Sequence, residues 1–168
     1  MDWLTKYLKF TPAEEREGIE LLPEDIMWEA SPTRYLASFL RFLPELVPPQ
    51  CILYLEGFPS ETFEEFFAQH QVSNPTKVAV GTVWPKPVWH HVPINPEVME
   101  KLAQLSDTLD PTEIASHLHI YRNQQVLLAW HDAFDLPMFF SRGLSQERVN
   151  NFCAKLGIPF KRVSAKDL

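Results

Sequence analysis

The chain has 168 residues, of which 45% are hydrophobic and 22% charged, with a net charge of −7 and a pI near 5.3. This is the balance of a globular domain long enough to bury a core without covalent staples. Lys and Arg are scattered rather than gathered in a basic stripe, which argues against nucleic acid as a partner, and no run approaches the ~20 apolar residues of a membrane span.

The N-terminal residues Trp3, Leu4, Tyr7, Leu8 and Phe10 form an amphipathic segment, with Asp2 before it and a Glu-rich stretch after it. That charge opposes an anionic lipid surface, so docking on its own domain is expected. No apolar leader core with a small-residue cleavage site is seen, and a cytoplasmic location is the default expectation. Thr11-Pro12, Ser31-Pro32, Asn95-Pro96 and Asp110-Pro111 each join a capping residue to a proline, predicting four helix starts. Glu14 and Glu113 add the capping-box pattern to the first and last. A helix over 32–43 carries Tyr35, Leu36, Phe39, Leu40 and Leu43 on one face and is predicted to stop at Pro44.

Pro48-Pro49-Gln50 is the densest break. It divides the single domain into a helical N-terminal region, 1–48, and an α/β remainder, 49–168. After it come a strand at 51–56, a helix at 60–70 with Phe63, Phe66 and Phe67 at helical spacing, and a strand at 77–84. That order predicts a right-handed parallel crossover. Further predicted elements are a helix at 96–107, a hairpin of 117–122 and 125–132 turning at Asn123-Gln124, a helix at 146–156 ended by Gly157, and a strand at 159–163. The expected fold class is α/β (α+β), a mixed sheet of about five strands flanked by helices.

The chemistry-bearing motifs begin with absences. No dinucleotide fingerprint, phosphate-binding loop, H-E-x-x-H or G-x-S-x-G occurs, and five glycines leave little room for a phosphate cradle. No cofactor is therefore expected. Cys51 and Cys153 read as buried small hydrophobes without zinc spacing or a disulfide framework.

Three arrangements remain. His117, His119 and Tyr121 alternate on one strand face. With a two-residue turn at Asn123-Gln124, His117 opposes Trp130, and Asp132 lies diagonal to it. His117, His119 and Asp132 would then form a two-histidine, one-carboxylate set for a divalent transition metal and a hydrolytic water. Second, Trp84, Lys86, Trp89, His90 and His91 sit in a proline-rich stretch after the 77–84 strand. If Glu56 and Trp84 end adjacent parallel strands, this group lines a ligand or partner site at the sheet's carboxyl end. Third, His131 beside Asp132, with Ser116 across the hairpin, offers an incomplete triad. Adjacent strand residues face opposite ways, and no oxyanion site is visible.

The reading favoured by these observations is a non-enzymatic protein-interaction or regulatory domain with another protein as its partner; one version of it is an inhibitor or immunity-type protein that neutralises a basic partner. The competing reading is a small metal-dependent hydrolase built on His117, His119 and Asp132.

Overall fold

A computed structural model describes residues 10–168. Of the predicted N-terminal amphipathic segment, Trp3, Leu4, Tyr7 and Leu8 lie outside the described residues.

The molecule is mixed α+β. Its strands are β1 (Ile26–Ala30), β2 (Ile52–Gly57), β3 (Val88–Pro93), β4 (His117–Arg122), β5 (Gln125–Trp130), β6 (Met138–Ser141) and β7 (Phe160–Arg162). They form one sheet of seven strands, rather than about five, in the order β3-β2-β4-β5-β6-β1-β7. Every neighbouring pair is antiparallel, so the expected mixed sheet is corrected.

The principal helices are α1 (Leu36–Leu46), α2 (Glu61–His70), α3 (Pro96–Ser106) and α4 (Gln146–Leu156). Their starts follow the capping chemistry where a side chain reaches an amide. Asn95 accepts the Val98 N–H at 2.9 Å and Ser145 the Arg148 N–H at 3.3 Å. Gly157 closes α4 in the left-handed conformation, at φ 67°. The Asp110–Glu113 capping box forms, but on a single 3₁₀ turn. Thr11-Pro12 opens only one helical turn, Ala13–Arg16, with no side-chain cap. Helix α1 runs past Pro44 to Leu46, because a proline in a last turn removes only one hydrogen bond.

Two expectations fail in instructive ways. The 1–48 region is not helical throughout: β1 comes from it and sits between β6 and β7. Nor is 77–84 a strand of the sheet. Only one isolated bridge, Ile19 to Val78, forms there, and the crossover is absent because β2 pairs antiparallel with β3 and with β4.

All four helices contribute to one face of the sheet. Phe39, Leu43, Phe67, Leu102 and Phe152 join Leu53, Leu55, Leu118, Ile120, Leu128 and Trp130 in the main core. Phe39 and Trp130 rings lie 5.1 Å apart, and the Trp130 indole N–H donates to the Leu136 carbonyl at 2.8 Å. Cys51 and Cys153 are free and buried there; burial pushes their thiols up to about 11 and about 12.

The opposite face carries a smaller cluster of Tyr54, Val78, Tyr121, Val126 and Ala129, with Ile19, Leu21, Ile52 and Trp89 packed on it. Its cover is irregular. An N-terminal arm, residues 10–21, and a strap, residues 76–84, run over the strands and bind each other. Ile19 N–H donates to Lys77 O at 2.9 Å, Ala79 N–H to Ile19 O at 3.0 Å, and Thr11 N–H to Val83 O at 2.8 Å. Among the described residues, no helix is long and apolar enough to cross a membrane.

Candidate functional site

Under the strap lies a buried polar group that strand alternation assembles. Tyr54 and Glu56 of β2 share a face with His117, His119 and Tyr121 of β4, because Glu56 pairs with His117, Tyr54 with His119 and Ile52 with Tyr121. His91 of β3 pairs with Tyr54 on the same face.

Glu56 is the centre of this group and is 0% exposed. One carboxylate oxygen accepts the Tyr54 hydroxyl at 2.8 Å and the Gly81 N–H at 2.9 Å; the other accepts the Thr82 N–H at 2.6 Å. The His117 Nε2 lies 3.9 Å from the second oxygen. A buried carboxylate with three donors is satisfied, and here it ties the strap to the sheet. Burial first, and then the same carboxylate, drive the Tyr54 hydroxyl far above its ordinary range. Gly81 permits the close approach: a Cβ there would stand 3.1 Å from the His117 ring.

The histidines divide by function of place. His117 Nδ1 accepts the backbone N–H of Asp132 at 3.1 Å. His91 Nδ1 meets the Tyr121 hydroxyl at 2.9 Å, and burial lowers that imidazole to about 4, with His90 adding to the effect. His131 packs its ring 4.7 Å from His119 and 5.5 Å from His117 while keeping an exposed side. His119 is 1% exposed, and among the described residues neither of its ring nitrogens has a hydrogen-bond partner. Burial first, then His131 and His117, hold it well below the ordinary histidine value.

The proposed metal set does not assemble. His117 and His119 do share a face, but Asp132 offers His117 its backbone amide, and its side chain lies exposed. The cause is a bulge. The β4–β5 register shifts between Ile120 and Tyr121, so Ile120 faces Leu128, His119 faces Ala129, and Leu118 rather than His117 faces Trp130. The shift sends Trp130 into the core and His131 to the polar face. Among the described residues, no group of three His, Cys, Asp or Glu side chains is placed to hold a metal ion.

The second predicted group is dispersed. Glu56, Trp89 and His91 lie on the strap face, with Trp89 in the small apolar cluster. His90 points to the helical face, where its ring stacks on Phe67 at 3.7 Å and 6°. Lys86 pairs with Glu15 of the arm at 3.0 Å. Trp84 is half exposed on the strap. An open groove of about 390 Å³ lies instead between α2 and α3, beside Phe66, His70, Lys101 and Leu105, and neither Glu56 nor Trp84 lines it. In the third arrangement, Ser116 engages the loop through its backbone, its carbonyl accepting the Ala133 N–H at 2.8 Å.

His131 is the residue whose place in the cluster the sequence pattern missed. The signal was present only as the odd residue added by a bulge, which alternation by itself does not reveal.

Comparison with family models, with curated proteins and with solved structures finds no match for this chain.

Proposed function

We propose that the chain is a non-enzymatic protein-interaction or regulatory domain whose contact surface is the outer side of the strap and arm. One observation carries this reading. Phe10, Val83 and Trp84 are 67%, 44% and 50% exposed, and the Thr11–Val83 hydrogen bond brings the two segments side by side. Aromatic side chains held outward on a backbone pinned from beneath are typical anchors of an interface. Glu14, Glu17 and Glu20 on the same arm are exposed carboxylates, and the chain carries a net charge of −7. The complementary partner is a basic protein, approached with electrostatic steering. An inhibitor or immunity role fits that pairing.

Against an enzymatic role of the buried group stands its saturation: the Glu56 oxygens are occupied by three donors and screened from solvent.

The test is affinity capture with the full chain at low and high salt, beside Trp84→Ala and Phe10→Ala. Both side chains are exposed, so each substitution should leave stability within about 0.5 kcal/mol. A cationic protein retained by the wild type, released by salt and lost from both variants supports the reading. Equal capture by wild type and variants overturns it.

A further inference from the structure

Beside the strap lies a cluster of three imidazoles whose innermost member, His119, has no acceptor for a proton among the described residues. His119 is sealed, and among those residues both its ring nitrogens are unpartnered. His131 and His117 crowd the same space, with ring centroids 4.7 Å and 5.5 Å from one another in the pairs His119–His131 and His117–His131. Gly81 of the strap rests against the His117 ring. The Asp132 N–H donated to His117 Nδ1 requires that nitrogen to be free of a proton.

We propose that His119 and His131, packed beside His117 at the strap, form a pH-sensitive latch: neutral, they let the strap lie on the sheet, and protonated, they drive it off and disperse the Phe10–Val83–Trp84 surface. The regulatory consequence rests on the interaction reading given above; the latch itself does not.

The physical case is one of unmatched charge. A proton on His119 would find no acceptor and two imidazoles as neighbours. The other groups facing the cluster are Tyr54 and Glu56 from β2, His91 from β3, Tyr121 from β4, Asp132 from the loop after β5, and Glu20 from the arm. Glu56, Asp132 and Glu20 favour a charged His131, but burial and His117 outweigh them and hold His131 below its ordinary value. Release of the strap admits water to the sealed His119 ring. Each proton taken up on release therefore favours the open form by about tenfold per pH unit, over the interval between the raised and lowered affinities.

The experiment reads amide hydrogen exchange of the full chain between pH 7.5 and 5, corrected for intrinsic rates. Gly81 and Thr82 report the strap, and Leu128 in the central strand β5 reports global unfolding. The expected result is a loss of protection of about tenfold or more at Gly81 and Thr82 across that range, with Leu128 unchanged. His131→Gln, altering a residue with an exposed side, should reduce the loss; the double variant His119→Phe, His131→Gln should reduce it further. If the double variant fails to fold, His131→Gln alone decides. Three results overturn the latch: no loss at the strap, a parallel loss at Leu128, or a loss of undiminished size in the variants, which would assign release to another group such as Glu56. No partner enters the measurement, so a failed latch leaves the interaction reading standing, and failed capture leaves the latch standing.

Discussion

The carboxylate of Glu56 accepts the backbone N–H of Thr82 at 2.6 Å, joining a residue inside the sheet to a segment that belongs to no strand. Through this contact a fully buried charge serves as a fastener. Replacing it with Glu56→Gln keeps one acceptor oxygen but turns an NH₂ toward amides that donate. The expected loss is about 2–4 kcal/mol. Tyr54→Phe removes one of three donors and should cost about 1 kcal/mol. Urea unfolding of the two variants checks the order: a Tyr54→Phe loss larger than that of Glu56→Gln would refute the fastening role.

The predicted strand at 77–84 and the observed strap show where local pattern stops being informative. Val78 and Val80 have the alternation, and with Val83 the branching, of a strand, and Val78 and Val80 are indeed buried. The backbone of this segment, however, turns the Gly81 and Thr82 amides to the Glu56 carboxylate and the Ala79 amide to Ile19 of the arm, a choice set by partners distant in sequence. The converse error is β3. Pro85, Pro87 and Pro93 hide a strand that lies at the sheet edge, where missing donors are tolerated. Elements that carry their own signals were legible: α4 with Ser145 and Gly157 at its ends, α2 with its phenylalanine face, and the β4–β5 hairpin at Asn123-Gln124. In that hairpin Asn123 takes φ 54°, a conformation asparagine tolerates. The face shared by His117 and His119 was also legible; the bulge that exchanged Asp132 for His131 was not.

Gly18 of the arm and Gly81 of the strap both sit in close contact with their neighbours. At Gly81 an added methyl meets the His117 ring at 3.1–3.2 Å, and the ring has some room to tilt. At Gly18 it meets the backbone of Val78 and Ala79 at 2.6 Å, which cannot yield without separating arm and strap. Gly81→Ala should therefore cost about 1–3 kcal/mol and Gly18→Ala about 3 kcal/mol or more. Thermal unfolding of both variants tests this. Equal, negligible effects would mean that the arm and strap do not pack as described.

Acid should weaken the fold through His91. Its folded value of about 4 lies below the ordinary 6.5, so the unfolded chain takes up the proton first. Stability from this residue is whole above about pH 6.5 and declines as the pH falls toward about 4, by about 1.4 kcal/mol per unit within that window. His91→Gln removes this dependence. The gap between wild-type and variant stability should narrow from pH 7 to pH 4.5 in urea titrations; a constant gap would exclude the assignment.

The position of β1 between β6 and β7 has a consequence for biosynthesis. Its two neighbours begin at Met138 and Phe160, so β1 has no partner until a long stretch of chain after it has left the ribosome. Trp28 and Ala30, both buried in the finished sheet, must wait uncovered through that interval. Synthesis of β6 and β7, long after β1, thus completes the sheet at the earliest of its described strands. Such long-range closure is slow and exposes apolar surface to aggregation. A nascent chain of this protein would be a natural client for whatever shields hydrophobic segments at the ribosome exit.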